Sequence, residues 1–395
     1  MNLKKSSGRN YKKLNQQEKT YNPPIREFVA LHLMDNLGAQ RIRLLLQAVE
    51  HPQLIFRLER HELQSIHGIG PKTADEVLGF NEWNEVDRVL EKTERTGAQI
   101  MTYWDDDYPH LLREIYDPPL MLWIKGDRSV LDTDAISIVG TRRVGNYGKK
   151  MAQKFAKELV DHGLTIISGL AYGTDGAAHQ ATVDAGGKTV AVLGSGIDWI
   201  YPSDHKGLAK AIVETGGAVI SEFPLGTAPE MGNFPVRNRI VSGMSLGTLV
   251  VASGLEGGSM ITAKSALDQN REVFVIPHPV GHPNAIGCNS LIKRGMGKLI
   301  QNVEDILTEI QVHIQEKETE SNSVDRPRSS QNKWESMELD NLSTSICEVL
   351  TEQPLHIDHL AERLEIDTHK LMPKLLELEM QGAIRQTAGK NFELL

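Results

Sequence analysis

The spacing of apolar residues changes character several times along the 395-residue chain. Residues 1–22 are rich in Lys, Asn and Gln, carry few apolar positions, and predict a disordered basic arm. From about Ile25 to Phe80 the apolar residues fall at helical spacing, with Phe28, Leu31, Leu33 and Met34 followed by Ile42, Leu44, Leu45 and Leu46. Over 100–126, Tyr108-Pro109 and Asp117-Pro118-Pro119 fix turns ahead of an apolar strand at Leu120–Ile124. From Ala135 to about Gln311, continuous apolar runs alternate with helical ones. The runs are Ala135–Val139, Leu164–Ile167, Thr189–Leu193, Ala218–Ile220, Thr248–Ala252 and Glu272–Ile276, with a shorter one near Leu299. Strands buried on both faces of a parallel sheet read in this way. The alternation predicts an α/β fold: a Rossmann-like, doubly wound, mostly parallel sheet covered by helices on both faces.

Residues 315–340 are polar, charged and without period, which predicts a linker. Residues 341–395 predict three helices and a terminal β-pair, a winged-helix pattern. Asp367 is the expected N-cap of the third helix, Gly382 its stop, and Ala388-Gly389 the turn between Ala383–Gln386 and Asn391–Leu394. The expected division is a basic arm (1–22), a helical module like a SAM or helix-hairpin-helix domain (23–98), the Rossmann-like domain (99–312), a linker (313–340) and the winged helix (341–395).

Composition narrows the function classes. No run of about 18 apolar residues occurs, so no membrane-spanning helix is expected. The basic N-terminus lacks the apolar core of a secretory signal. Cys288 and Cys347 are too few for a disulfide framework or a cysteine-rich zinc site, and a cytoplasmic protein is expected. The formal charge of −9 hides an asymmetry. Residues 135–300 hold 16 Lys and Arg against 12 Asp and Glu, a net of +4, while 341–395 hold 5 against 9, a net of −4. Residues 1–20 hold six against one, a net of +5. Only the arm and the middle segment suit a polyanion.

Four breaks in the α/β region are expected at the carboxyl ends of the strands, where such sheets bind ligands. They are Gly140-Thr141-Arg142-Arg143-Val144-Gly145, Ser168-Gly169-Leu170-Ala171-Tyr172-Gly173-Thr174-Asp175, Ser221-Glu222-Phe223-Pro224, and Gly257-Gly258-Ser259-Met260-Ile261-Thr262-Ala263-Lys264. The third leads into Phe234-Pro235-Val236-Arg237-Asn238-Arg239-Ile240, where Pro235 predicts a helix start with Arg237, Asn238 and Arg239 on its first turn. Unpaired N–H groups and the helix dipole favour an anion there, and guanidinium groups fork onto phosphate oxygens. Several glycine turns on one sheet edge, two with arginines, point to a phosphate-bearing ligand. Phosphate-contact candidates are Gly140, Thr141, Arg142, Ser168, Gly169, Gly173, Arg237, Asn238, Arg239, Gly258, Ser259 and, from position and charge, Lys264.

Catalytic and metal motifs are weak by comparison. The dinucleotide fingerprint G-x-G-x-x-G, the P-loop, H-E-x-x-H and G-x-S-x-G are all absent. Asp175 and His179 lie four apart, which more often marks a helix cap and a satisfied histidine than a general-base pair. His278 and His282 are broken up by Pro279 and Pro283, so neither a metal nor any other cofactor is expected. Leu63 to Ala74, with Gly68-Ile69-Gly70, reads as a helix-hairpin-helix turn able to aim backbone N–H groups at a DNA phosphate, or as a packing module. Leu37 to Ile42 reads as a degraded second copy.

Taken together, these segments resemble the DprA/Smf family of bacterial DNA-processing proteins. The resemblance covers roughly Tyr103 to Gly297 and rests on Tyr108-Pro109, Asp117-Pro118-Pro119, Gly126, Val139 to Arg142, Ser168 to Asp175 with His179, Tyr201-Pro202, Ser221-Glu222, Phe234 to Ser245, Gly258 to Ala263 and Gly287 to Ile292. It departs from the family pattern at Ala252, Gly257 and His278. The three-part layout is similar too. The resemblance implies a non-enzymatic protein that binds and protects single-stranded DNA, loads the recombinase RecA during natural transformation, and forms a homodimer through the Rossmann-like domain. It implies phosphate contacts by Arg142, Arg237 and Arg239. The competing reading is a nucleotide-processing enzyme similar to lysine-decarboxylase-like phosphoribohydrolases, whose P-G-G-x-G-T-x-x-E is absent here. In the winged helix, Lys370 and Lys374 stand beside Glu377 and Glu379, which favours protein contact over duplex reading.

Overall fold

The computed structural model describes residues 25–34, 37–49, 51–281, 285–310, 334, 337, 339–351, 355–364, 366–387 and 391–394. The basic arm, most of the linker, His282, Pro283 and the expected Ala388-Gly389 turn lie outside the described residues. The chain forms two compact units, Met1–Ile314 and Gln315–Leu395.

The first unit opens with α1 (Ile25–His32), α2 (Ala39–Ala48), α3 (Arg60–Ser65), α4 (Pro71–Gly79) and α5 (Trp83–Arg95). α3 and α4 flank the Gly68-Ile69-Gly70 turn; Gly68 takes φ +87°, and Gly70 with Pro71 starts α4 at the position where a missing N–H costs nothing. α5 buries Val86, Val89 and Thr93 at helical spacing. Next come β1 (Gln99–Thr102), α6 (His110–Arg113) and β2 (Met121–Gly126). Phe28, Leu31, Val86 and Val89 share one core with Met121 and Trp123 of β2, so the helical module and the sheet bury a continuous apolar layer.

The alternating region gives β3 (Ala135–Val139), α7 (Asn146–Asp161), β4 (Thr165–Ser168), α8 (Thr174–Asp184), β5 (Thr189–Leu193), α9 (Lys206–Glu214), β6 (Ala218–Ser221), α10 (Asn233–Gly243), β7 (Gly247–Val250), α11 (Gly258–Asp268), β8 (Glu272–Val275), α12 (Ile286–Lys293) and β9 (Lys298–Leu299). The strands make one nine-stranded sheet in the order β1-β2-β6-β5-β4-β3-β7-β8-β9. β6 to β9 pair parallel through β3, and only β1 and β2 run antiparallel, at the β6 edge. Ala152, Phe155 and Leu159 of α7 cover one face against Ile136, Ile138 and Phe274. Ile240, Val241, Ala263 and Leu291 of α10 to α12 cover the other against Val139, Val250 and Val275. The chain steps from β3 to β6 in one direction, then crosses to β7 on the far side of β3. That reversal opens a crevice at the carboxyl ends of β3 and β7.

The second unit has helices Asn341–Leu350, Ile357–Leu364 and Thr368–Met380 and a three-stranded sheet of Leu355–His356, Asn391–Leu394 and Ile384–Thr387. Ile346, Leu360, Leu371, Leu375 and Phe392 form its core, and Trp334, Met337 and Leu339 pack onto it, although the sequence places these three in the linker. Asp340, also in the expected linker, caps the first helix by accepting from the Ser343 amide at 2.8 Å. Asp367 occupies the expected N-cap position without a side-chain cap bond, and Gly382 ends the third helix at φ +71°. Lys374 lies 2.6 Å from Asp340 and 2.7 Å from Glu377, so this basic group on the third helix is neutralised within its own module.

Candidate functional site

A cavity of about 560 Å³ opens at the β3/β7 crossover. After β3, Gly140, Thr141, Arg142 and Arg143 form one wall. This loop is held by the Thr141 amide, which donates to Ala252 O at 2.8 Å, and by Thr174, whose amide reaches Thr141 O at 3.3 Å. After β4, Gly169, Ala171 and Asp175 form the floor, and Gly257, Gly258 and Ser259 at the start of α11 form the opposite wall. Gly257 caps α11 without any side-chain bond, and Gly258 and Ser259, which open this eleven-residue helix, border the cavity, where the first N–H groups of a helix favour an anion. Ser259 Oγ donates to Ser253 Oγ at 2.8 Å, which fixes that helix entry.

Arg142 is exposed at the rim, with its guanidinium 5.2 Å from the centroid of the Phe234 ring. Of the sequence candidates, Gly140, Thr141, Arg142, Gly169, Arg237, Asn238, Gly258 and Ser259 all border this one cavity. The arginine cluster, however, departs from expectation. α10 starts at Asn233, two residues before Pro235, so Arg237, Asn238 and Arg239 sit on its second turn. Pro235 is tolerated because the amide it lacks is among the first four, which have no partner within the helix. The orphan N–H groups expected beside these arginines are therefore elsewhere.

Arg237 is buried, at 4 % exposure. Its Nη1 donates to Gly169 O at 2.8 Å and to Val192 O, and its Nε donates to Asn238 Oδ1 at 3.3 Å. Asp175 lies on the same cluster and accepts from the Gly169 and Ala171 amides at 3.2 and 3.4 Å. Gly169 is required here, since a Cβ would come within 2.7 Å of Arg237 Nη2 and 2.9 Å of Asp175 Oδ2. Burial raises Asp175 to about 6, opposed by Arg237 and the two amides. Burial likewise lowers Arg237 to about 10, opposed by Asp175 and aided by the nearby Arg142 charge.

Arg239 is removed from the site altogether. Its Nη1 and Nη2 make parallel bonds to Glu222 Oε2 and Oε1 at 2.8 and 2.6 Å, and its Nε reaches Asp117 Oδ2 at 3.4 Å. With the side chains 15 % and 13 % exposed, Arg239 and Glu222 form a nearly buried fork. The expectation of three convergent, phosphate-ready guanidinium groups thus reduces to one at the rim, Arg142. The reason is that Arg237 and Arg239 are consumed by backbone carbonyls and by carboxylates. Other candidates also fall outside the cavity. Ser168 is buried and donates to Ile138 O at 2.6 Å; Gly173 turns beneath the Thr141 and Arg142 carbonyls; Lys264 is exposed two turns along α11.

His179 and Asp175 do not form a working pair. Thr189 Oγ1 donates to Ile166 O at 2.6 Å, so it accepts from His179 Nδ1 at 2.7 Å. Burial, with the His205 charge adding to it, lowers His179 to about 3 and keeps the ring neutral. His278 Nε2 lies 2.7 Å from Val251 O as its donor. No group of three His, Cys, Asp or Glu placed to hold a metal ion occurs among the described residues. No helix among them is long and apolar enough to cross a membrane.

The family profile described as DNA recombination-mediator protein A matches residues 99–311, and that for the DprA winged helix domain matches residues 334–390. Protein Smf of Escherichia coli strain K12 is 37 % identical over 285 residues, 71 % of this chain and 74 % of that protein. DNA processing protein DprA of Bacillus subtilis strain 168 is 39 % identical over 246 residues, 60 % of this chain and 82 % of that one. The X-ray structure of DNA processing protein A from Streptococcus pneumoniae matches with a TM-score of 0.63 and 30 % identity, over 73 % of this chain and 98 % of that chain.

Proposed function

The chain belongs to the DprA/Smf family of DNA recombination-mediator proteins, and from that premise we propose that it binds single-stranded DNA along the carboxyl edge of the sheet without catalysing a reaction. The observation that carries this reading is the convergence, around one crevice, of exposed Arg142, the Gly140-Thr141 and Gly169 turns and the amides of α11. Arginine and helix-start amides suit a sugar–phosphate chain, and contacts to the backbone give affinity without sequence preference. Arg142, with the Gly258 and Ser259 amides, is the phosphate contact. Arg237 and Asn238 position the loops around it, and Arg239 holds α10 in place. In keeping with the family, we infer that the protein acts in natural transformation, passes its strand to RecA, and works as a homodimer through the Rossmann-like domain.

Arg142→Ala is expected to lower affinity for an oligo-dT strand several-fold. The slope of log affinity against log salt should fall by about 0.7, the amount for a single phosphate no longer neutralised. Fluorescence anisotropy at two salt concentrations measures both. An unchanged slope in a folded variant overturns the assignment. Removing 341–395 is expected to leave single-strand affinity within about twofold, because that module is acidic and Lys374 is already paired. A large loss in the same titration would give the winged helix a direct DNA role. Release of free base from a nucleoside monophosphate by the purified protein would instead support the phosphoribohydrolase reading.

A further inference from the structure

We propose that Tyr201 and Trp199 continue the crevice as an aromatic track on which successive bases of the bound strand stack, beginning at Phe234. The inference rests on the single-strand reading above. Tyr201 lines the cavity, and its ring centroid lies 5.8 Å from that of Phe234 with the planes inclined by 43°. Phe234 in turn lies beneath the Arg142 guanidinium, so the row Arg142, Phe234, Tyr201 runs from the β3 loop to the loop after β5. Trp199 stands two residues earlier in that same loop. Tyr201 is 43 % exposed and Trp199 49 % exposed, in a chain whose aromatic content is only 5 %.

The loop that carries them is pinned. The buried Ser195 hydroxyl donates to Trp199 O at 2.7 Å, the Trp199 amide reaches Gly196 O at 2.9 Å, and the Gly196 amide reaches Thr227 O at 2.9 Å. At its start, a Cβ on Gly194 would come within 2.8 Å of Phe234 Cδ1, so glycine lets that ring lie against the loop. Large rings held at the surface by backbone bonds need little further ordering on binding, which is the economy of a stacking platform. Of the two carboxylates beside these rings, Asp198 is paired with a lysine and Asp204 accepts the Tyr172 hydroxyl. Asp198, beside Trp199, is 2.5 Å from Lys92 and accepts the Gly226 amide at 2.9 Å. Tyr172, also near the rim, is engaged otherwise: its hydroxyl donates to Asp204 at 2.8 Å and its ring packs edge-on to His205. Phosphates therefore follow the Arg142 and α11 side, and bases the Phe234, Tyr201 and Trp199 side.

The test uses the full-length protein and a twenty-nucleotide oligo-dT strand, with anisotropy and intrinsic tryptophan fluorescence read together. Trp199→Ala with Tyr201→Ala is expected to weaken binding on the order of tenfold while leaving the salt slope as in the unaltered protein. The conservative pair Trp199→Phe with Tyr201→Phe should restore most of the affinity. An abasic strand of equal length should bind the unaltered protein and the alanine pair alike, which tests stacking without relying on any one variant. Quenching of tryptophan fluorescence by oligo-dT, absent with the abasic strand and lost in the Trp199→Phe pair, completes the expected result. Full affinity in the alanine pair, with Arg142→Ala still weakened, overturns the track and leaves the single-strand reading standing. Full affinity in both overturns the reading itself.

Discussion

Arg237→Ala is expected to lower folding stability by about 3–5 kcal/mol, the usual consequence of leaving a nearby charge buried and uncompensated. Arg237 holds Gly169 O, in the loop after β4, and Val192 O, near the carboxyl end of the neighbouring strand β5, and faces Asp175. Without it both carbonyls lose a donor and the Asp175 carboxylate is left buried without its compensating charge. The loss has a pH signature. Asp175 already sits at about 6, above the ordinary 3.8, because burial outweighs the attraction of Arg237. A carboxyl whose folded pKa is raised favours the folded state below its ordinary pKa and loses that contribution as pH rises through the folded value. Removing Arg237 raises the folded value further, so the penalty of the variant grows from pH 5 to pH 8. Urea unfolding of both proteins at these two pH values measures it. A variant as stable as the unaltered protein, but with weakened binding and a smaller salt slope, would return Arg237 to the role of a phosphate contact.

Arg239→Ala is expected to cost a similar 3–5 kcal/mol, through a different joint. The guanidinium ties α10 to Glu222 at the end of β6 and to Asp117 in the segment before β2. These elements come from parts of the chain more than a hundred residues apart, as the Arg239–Asp117 separation of 122 positions makes plain. Loss of the arginine leaves Glu222 nearly buried and without its forked partner. Arg239→Met combined with Glu222→Leu should recover much of the loss, since an apolar pair of similar volume avoids desolvating two charges. Denaturant midpoints of the single and double variants give the comparison. If the double variant is as unstable as the single one, the cost lies in Asp117 or in packing. An Arg239→Ala protein of normal stability would remove the clamp.

For Arg237 and Arg239 the local sequence pattern does not select the partner. The Phe-Pro-x-Arg-Asn-Arg pattern marks the segment as special, and proline correctly places a helix start nearby. Whether an arginine meets phosphate, carbonyl or carboxylate depends on what other segments bring to it. Asp175 and Glu222 arrive from 62 and 17 positions away, and nothing in the local pattern selects them. Lys264 lies away from the cavity for a simpler reason. A helix start at Gly258 puts it beyond the first turn, away from the amides that line the crevice. Tyr201 was visible only as part of a family pattern; its place beside Phe234 needed the loop after β5 to fold over α10. Trp334, Met337 and Leu339 are three apolar residues without period in a polar stretch, the pattern of a linker, yet they complete the second core.

What the sequence determined by itself is the layered plan. Unbroken apolar runs separated by helical ones suit only strands covered on both faces, and glycine turns after those runs suit only tight strand-to-helix passages. The crevice between β3 and β7 and its glycine-lined walls follow from that plan and from the order in which the strands join. The tertiary structure alone decided the division of labour among the charges. Guanidinium groups are long, and their partners are chosen by distance in space: Arg142 projects to the rim, while Arg237 and Arg239 are drawn inward by carbonyls and carboxylates that burial leaves no other way to satisfy.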